Sequence, residues 1–166
     1  MNKLFAGLTR SELMSRIRSR GNKDTEVVLA KFFRRHKISG WRRQVQIIGK
    51  PVAAVYDRRS LRVATFGVHR APLQKTFRVR PDFVFPKLKL AIFVDGCFWH
   101  GCPKHGTKPK GNAAFWRRKF SRNIARDRLV TRTLRRANWQ VLRIWEHDLA
   151  RKHEAHLLRR IQRKAC

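Results

Sequence analysis

Apolar positions in the first forty residues recur at helical spacing and predict two helices. The first is a short basic helix, which Ser11 could cap and which extends through Arg20. The second follows a cap at Asp24 or Thr25. Its apolar face consists of Val28, Leu29, Phe32 and Phe33.

Four short apolar segments further along predict β-strands. Trp41 to Ile48 alternates well enough to form one strand. Asp82 to Phe85 and Leu88 to Val94 are rich in β-branched and aromatic residues, and only Pro86-Lys87 separate them. We expect these two to be buried strands of one hairpin. Trp139 to Trp145 (WQVLRIW) predicts the last strand.

Two further helices complete the predicted elements. Asn112 could cap a long helix that extends to about Ala137, and Asn138 could end it. Near one face of this helix lie Trp116, Phe120, Ile124 and Leu134. A basic helix from about Asp148 follows the last strand.

This order of elements predicts a single α/β domain with a central mixed β-sheet flanked by helices. The N-terminal helices and first strand span residues 11–50, the core spans residues 76–149, and the basic C-terminal helix spans residues 150–166. Residues 52–75 have no clear periodicity and contain or adjoin Pro51 and Pro72. We interpret them as an insertion or a long loop.

The net charge indicates which class of partner to expect. The chain has 41 Lys and Arg against 10 Asp and Glu, a formal charge of +31, yet its apolar fraction of 42% is ordinary for a globular protein. A folded domain this positive repels itself unless a polyanion neutralises it. Nucleic acid is therefore the expected partner, whether the protein is a noncatalytic binder or an enzyme.

Cysteine usage and hydropathy indicate the compartment. No run of about 18 apolar residues is present, and the apolar stretch at the amino end is too short for a signal peptide. Cys97, Cys102 and Cys166 are too few for a disulfide scaffold, and the first two lie five residues apart beside histidines. We therefore expect a metal site in a reducing compartment, no membrane association and a cytoplasmic protein.

Two of the few acidic residues lie at strand ends. Asp82 begins one apolar strand and Asp95 ends the next, so an antiparallel pairing in register would bring them close together. Buried carboxylates are costly unless paired or metal-bound, and hard oxygen ligands suit Mg²⁺. The alternative is an Asp82 that is paired with one of the many arginines.

The loop CFWHGCPKH contains a second candidate metal site. Cys97, Cys102 and His105 have the soft donors of a structural zinc site, and His147 after the last strand is the natural fourth ligand. His100 could be a ligand instead. Chance clustering of thiols and imidazoles is the remaining alternative.

Four sequence blocks, in this order, resemble the very short patch repair endonucleases. They are VRPDFVF, IFVDGCFWHGCPKH, FWRRKFSRNIARDR and WQVLRIWEHDL. The resemblance covers roughly residues 11–149 apart from residues 52–75. This family nicks DNA beside T:G mismatches left by deamination of 5-methylcytosine. The resemblance implies a restriction-endonuclease-like fold, catalytic Mg²⁺, structural Zn²⁺, a double-stranded DNA substrate and action as a monomer.

By motif position, the resemblance also implies catalytic roles. Asp82 would be the magnesium ligand, and the backbone carbonyl of Val94 would complete that site. His100 would be a catalytic histidine, and Glu26 would support water and metal positioning. Asp95 replaces a second histidine of better-known members, so it either joins the magnesium site or rearranges proton transfer. Considered alone, Glu26 could be a helix-dipole acid and His100 an exposed loop residue.

The remaining implied residues concern zinc and DNA. The zinc positions are matched by Cys97, Cys102, His105 and His147, with one spacing shortened and thiols and imidazoles exchanged at three positions. Phe98, Trp99 and Trp116 match aromatics that wedge into the base stack beside the mismatch. They could instead shield the zinc or, for Trp116, belong to the core. The residues expected to face phosphates include Arg117, Arg118, Lys119 and Arg122.

Together these features predict a Mg²⁺-dependent endonuclease that nicks double-stranded DNA at T:G mismatches. It would act in the bacterial cytoplasm near the nucleoid, with mismatch-repair proteins as candidate partners. One alternative is a noncatalytic basic zinc protein that binds nucleic acid, and another is a restriction or mobile-element nuclease without mismatch specificity. Asp82 near Asp95 at the strand edge would favour an enzyme, whereas pairing of these acids with arginines would favour the binder.

Overall fold

The structure is a computed structural model that describes residues 25–49, 76–106 and 111–165. The predicted helix from Ser11 to Arg20, the segment 52–75 and Cys166 lie outside the described residues. In chain order the elements are α1 (Glu26–Arg35), β1 (Arg42–Arg43), β2 (Ile47–Gly49), β3 (Phe77–Val79), β4 (Phe83–Phe85), β5 (Leu90–Asp95), α2 (Ala113–Arg136), β6 (Gln140–Trp145), two 3-10 helices (Glu146–Leu149 and Arg151–His153) and α3 (Glu154–Ala165).

The central sheet has four strands in the order β1-β4-β5-β6, and β2 pairs with β3 in a separate two-stranded sheet. The predicted hairpin is confirmed, because β4 and β5 are antiparallel with Phe83 opposite Ile92. β6 is parallel to β5, with Trp145 opposite Asp95. A parallel neighbour requires a crossover connection, which the 24-residue helix α2 supplies. The predicted mixed α/β sheet is therefore correct.

Helices cover both faces of this sheet because side chains alternate along each strand. On one face, Phe83 and Phe85 pack edge-to-face on Phe33 of α1, with ring centroids 5.2 and 5.7 Å apart. The same buried cluster includes Leu157 and Ile161 of α3. Replacing a fully buried side chain such as Phe33 with Ala would cost about 3–5 kcal/mol.

The opposite face packs against α2. Val84 and Ala91 of the hairpin form a second buried cluster with Val141 of β6 and Leu134 of α2. Because α2 lies on this face, its side chains reach the end of β5 where Asp95 lies. The sheet therefore places acidic and basic side chains of several elements around the end of β5.

Two sequence predictions are wrong in detail. Trp41 to Ile48 is not one strand: β1 pairs with β4 and β2 with β3. Gln44 between them adopts a left-handed backbone conformation (φ 54°), which turns the chain from one sheet to the other. The last helix begins at Glu154 rather than about Asp148, because two 3-10 helices come first.

The predicted helix caps are only partly correct. Thr25 and Asn112 precede α1 and α2, but neither side chain makes a capping hydrogen bond. Asn138 has the left-handed conformation (φ 60°) that follows many helix ends, as the sequence predicted. In the described part of the chain, no helix is both long enough and apolar enough to cross a membrane.

Candidate active site and metal centre

One cavity of about 810 Å³ is lined by all the predicted catalytic residues. It lies at the end of the β4–β5 hairpin opposite the turn, where α1, α2 and β6 also contribute side chains. Its lining includes Glu26, Asp82, Val94, Asp95, His100, Asp127 and Arg143. The structure therefore brings all four predicted catalytic residues together.

Asp82 accepts a hydrogen bond from the backbone amide of Val94, with 2.7 Å between nitrogen and Oδ2. The pKa of Asp82 is raised to about 6, mainly by burial and to a smaller extent by the nearby charges of Glu26 and Asp95. The Val94 hydrogen bond and Arg143 oppose this shift without cancelling it. A carboxylate that is costly to ionise next to other acids suits a bound cation, which would stabilise the ionised form.

Glu26 is the first residue of α1 and is only 4% exposed. Its Oε2 atom accepts hydrogen bonds from Arg43, at 2.9 Å, and from the Gln44 amide, at 3.0 Å. Its position in the first turn also fits the helix-dipole alternative. The two contacts nevertheless hold the carboxylate at the cavity, close enough to raise the pKa of Asp82.

Asp95 is 4% exposed and is paired with Arg143 through both carboxylate oxygens. Nε of Arg143 lies 2.6 Å from Oδ2, and Nη2 lies 2.5 Å from Oδ1. The two acids thus differ: Asp82 is held by a backbone amide and Asp95 by an arginine. Two features were expected to distinguish an enzyme from a noncatalytic binder. The position of Asp82 and Asp95 at one cavity favours the enzyme, whereas the pairing of Asp95 with Arg143 favours the binder.

His100 contacts an acid that the sequence analysis missed. Its Nδ1 atom lies 2.5 Å from Oδ2 of Asp127 in α2, whereas Asp95 Oδ1 is 3.6 Å away. Burial opposes ionisation of Asp127, but the His100 hydrogen bond and Arg143 outweigh it and lower the pKa of Asp127. His100 is therefore not merely an exposed loop residue. A signal did exist: Asp127 is the only acidic residue in α2.

A second cluster joins the loop after β5 to the residues after β6. The donor atoms of Cys97, Cys102, His105 and His147 all lie within 4.8 Å of one another. His147 Nδ1 is 3.2 Å from the Cys97 sulfur and 3.5 Å from that of Cys102. Ligands about 2.0–2.3 Å from one tetrahedral ion would be roughly 3.5 Å apart, so this donor set fits a metal. The structure therefore brings the four predicted zinc ligands together, and His100 is not part of this cluster.

The predicted wedge residues form an aromatic cluster beside the cavity. The Phe98 ring lies 5.0 Å from Trp99, 5.1 Å from Trp116 and 5.5 Å from Phe120, in edge-to-face contacts. Trp116 is only 4% exposed, so its position matches the core alternative. Phe98 and Trp99 are half-buried.

The predicted phosphate-facing residues are on the outer surface of α2. All four, Arg117, Arg118, Lys119 and Arg122, are exposed. Lys119 also lines the cavity, and so does Arg126, two turns further along α2. A negatively charged backbone could therefore approach the acids from the side of α2.

The structure is an α/β domain in which acids and a His–Asp pair meet at one cavity, beside a Cys₂His₂ cluster and an arginine-rich helix. Comparisons with known proteins show which family part of the chain resembles. The family model described as DNA mismatch endonuclease Vsr matches residues 64–105. Over these residues the chain is similar to that family, in agreement with the sequence motifs. The match begins inside residues 52–75, so the resemblance extends further than those motifs suggested.

Individual relatives agree with this family. The chain is 52% identical over 71 residues to the type II nicking enzyme V.NaeI of Lentzea aerocolonigenes, a match that covers 43% of each chain. It is 49% identical over 74 residues to V.NmeDIP of Neisseria meningitidis, covering 43% of this chain and 50% of the relative. It is 40% identical over 68 residues to the DNA mismatch endonuclease Vsr of Escherichia coli, covering 40% and 44%. The matches thus span about half the length of these relatives.

Proposed function

We propose that this protein is a Mg²⁺-dependent endonuclease that nicks one strand of double-stranded DNA. The observation that carries the proposal is the meeting of Asp82 with the His100–Asp127 pair in one cavity. The names of the relatives, which are nicking enzymes and a mismatch endonuclease, support the same reaction. The exposed basic residues of α2 supply the electrostatic attraction that a DNA substrate needs.

Asp82 and the backbone carbonyl of Val94 would hold the magnesium ion. When bound, the ion would polarise the scissile phosphate and stabilise the developing negative charge. Glu26, held by Arg43 and Gln44, would orient water at the edge of this site. The high pKa of Asp82 in the metal-free protein favours this role, because binding of the cation replaces binding of a proton.

His100 would accept the proton of the attacking water. Because Asp127 accepts the hydrogen bond of Nδ1, the other ring nitrogen, Nε2, is the basic atom. Asp127 then stabilises the imidazolium that forms, as a carboxylate does in other histidine–acid pairs. The low pKa of Asp127 keeps it ionised for this purpose.

Zinc is the metal that the Cys₂His₂ donor set fits best. It would fix the loop that carries His100, Phe98 and Trp99 against the residues after β6. Phe98 and Trp99, which are half-buried, would contact the bases, while Trp116 would support them from the core. We assign zinc no part in the chemical step.

We further propose that the substrate contains a T:G mismatch, which the resemblance to the Escherichia coli mismatch endonuclease supports. A mismatched pair costs less to unstack, so aromatic side chains would insert there first. Monomeric action, mismatch-repair proteins as partners and a cytoplasmic location near the nucleoid remain predictions. Nicking without mismatch preference is the second candidate, because several relatives are named only as type II nicking enzymes.

The test is nicking of a labelled duplex with one T:G mismatch, beside its T:A and C:G controls, in Mg²⁺. Asp82→Ala is compared with wild type and with Glu154→Gln, which removes an acid in a surface ion pair with Arg35. We expect mismatch-selective nicking that only Asp82→Ala abolishes. Equal cleavage of all duplexes would support the second candidate. Tight binding without any nicking would overturn the enzyme proposal in favour of a noncatalytic basic zinc protein.

A further inference from the structure

We infer that Arg143 is a positioning residue that keeps Asp95 away from the magnesium ion and holds Asp127 in place for His100. The inference deepens the proposed function and rests on it. Arg143 lies in β6, more than forty residues along the chain from Asp95 and His100. It is the only charged residue of β6, but the sequence alone does not show which acids it meets.

The guanidinium of Arg143 joins two carboxylates from different elements. It binds both oxygens of Asp95 at 2.5 and 2.6 Å, and its Nη2 atom also lies 3.1 Å from Oδ1 of Asp127. Its Nη1 atom is 3.5 Å from the backbone oxygen of Asp127. A bidentate arginine–carboxylate pair restricts both partners more than a single hydrogen bond does. Arg143 therefore ties the end of β5 to the middle of α2.

The sheet itself sets the position of Arg143. Arg143 is paired with Phe93 in the parallel register of β5 and β6, and its guanidinium lies 5.1 Å from the centroid of the Phe93 ring. Asp95, two residues after Phe93, points to the same side of the strand. The arginine and the acid are thus placed together by strand register rather than by a flexible loop.

This arrangement makes Asp95 a poor magnesium ligand. Both of its oxygens are occupied by a cation, and an approaching Mg²⁺ would have to displace that cation and overcome its repulsion. Within residues 25–49, 76–106 and 111–165, no arginine or lysine forms an ion pair with Asp82, and its Oδ2 atom accepts a hydrogen bond from the backbone amide of Val94. Asp95, which stands where the resemblance places a second histidine, is thus bound by Arg143. The proposed magnesium site therefore depends on Asp82.

The effect reaches His100 through Asp127. One oxygen of Asp127 faces Arg143 and the other faces Nδ1 of His100, so the two contacts together fix the rotation of the carboxylate. Without Arg143, Asp127 could turn away and the ring of His100 would lose its orientation. Arg143 acts through Asp127 and has no direct contact with His100 among the hydrogen bonds and ion pairs of the described residues.

Arg143 can also be reached from a second cavity. This cavity of about 770 Å³ shares Asp95, His100, Asp127 and Arg143 with the first one. The four residues therefore form a wall between the two cavities. A guanidinium ion could enter from the far side and occupy the place of a truncated arginine.

The first experiment reads the orientation of His100 in metal-free protein, where activity has no part. In histidine-labelled protein, the Nδ1–H resonance of His100 should lie far downfield because of the short contact with Asp127. We expect Arg143→Gln to lose or shift this resonance and Arg143→Lys to retain it in part. Arg126→Gln is the matched control, because Arg126 lies 3.9 Å from Asp127 but does not contact Asp95. An unchanged resonance in Arg143→Gln would overturn the inference.

The second experiment measures the Mg²⁺ dependence of nicking. If Asp95 binds Arg143 and not the metal, Asp95→Asn should lower kcat. The Mg²⁺ concentration for half-maximal nicking, the midpoint, should stay within about threefold of the wild-type value. The double variant Asp95→Asn with Arg143→Gln should be no slower than the slower single variant. A midpoint raised by about tenfold or more in Asp95→Asn, as expected for loss of a ligand, would overturn the inference.

Chemical rescue separates positioning from folding. Nicking by Arg143→Ala should recover several-fold in millimolar guanidinium, but not in methylammonium at equal ionic strength, and wild type should not respond. Absence of rescue in a variant that unfolds at the wild-type temperature would overturn the inference. If even wild type does not nick DNA, the proposed function fails, whereas the His100 resonance still decides whether Arg143 positions that ring.

Discussion

The backbone amide of Val94 donates a hydrogen bond to Oδ2 of Asp82 across the β4–β5 hairpin, with 2.7 Å between the two atoms. This bond alone would lower the pKa of the carboxyl group. Burial has the larger effect, and with Glu26 and Asp95 nearby it raises the pKa of Asp82 to about 6. The fold thus keeps an acid in a place where its charged form is costly, which is typical of a functional site.

The first prediction concerns how the free energy of unfolding depends on pH when EDTA removes bound metal. The pKa of Asp82 is higher in the folded state, at about 6, than the ordinary value of 3.8 expected on unfolding. Its contribution to stability is therefore fully present below pH 3.8 and is lost as the pH rises through about 6. At pH 8, Asp82→Asn should be more stable than wild type by up to about 3 kcal/mol in urea unfolding, and it should not nick DNA.

The comparison of Asp82→Asn with wild type at pH 4 and pH 8 is the internal control, since other groups titrate equally in both proteins. The stability difference should grow with pH. A constant difference would mean that the pKa of Asp82 is not raised in the folded protein.

The second prediction concerns Asp127. Replacing it with Asn leaves a group that can donate to Nδ1 of His100 and so favours the wrong tautomer. Single-turnover nicking should fall by about 10²–10⁴-fold, while DNA binding measured by anisotropy changes little. Ser121→Ala, on the exposed side of the same helix, should nick at the wild-type rate. A loss of less than about threefold in Asp127→Asn would exclude the proposed role.

The sequence predicted the elements better than their connections. Phe83–Phe85 and Leu90–Asp95 were recognisable as strands because both are short apolar runs on either side of a turn. The break at Gln44 was not predictable, because a positive φ at a glutamine results from the pairing of β1 and β2 with different partners. Local pattern does not report which sheet a segment joins.

The site was predictable where its residues lie in compact motifs. Asp82, His100 and the Cys₂His₂ cluster lie in such motifs, and the structure brings the cluster together. Asp127 is the only acid of a basic helix and Arg143 is the only charged residue of an apolar strand, but neither position shows which residue the side chain meets. Their roles depend on contacts across 27 and 48 positions in the chain, which only the fold creates.

The third prediction concerns the Cys₂His₂ cluster. Native mass spectrometry should detect one zinc ion per chain, and Cys102→Ser should lose it, because a buried thiolate is hard to replace in a tetrahedral site. The melting temperature should fall by several degrees in that variant and in wild type treated with a strong chelator. Cys166→Ser removes a cysteine that is not among the four predicted ligands, and this variant should retain the metal. Zinc retained at full occupancy in Cys102→Ser would contradict the predicted ligand set.

The last prediction separates packing from DNA contact within the aromatic cluster. Trp116 is 4% exposed and contacts Phe98, Trp99 and Phe120, so Trp116→Ala should cost about 3–5 kcal/mol in chemical unfolding. Trp116→Phe, which keeps an aromatic ring, should recover most of that stability and nick at nearly the wild-type rate. Trp99→Ala should behave in the opposite way, because Trp99 is half-buried on the loop. It should lose less stability but clearly lose the preference for the T:G duplex over its T:A control. If Trp116→Phe is stable but loses that preference, Trp116 contacts the bases and must leave its buried position when DNA binds.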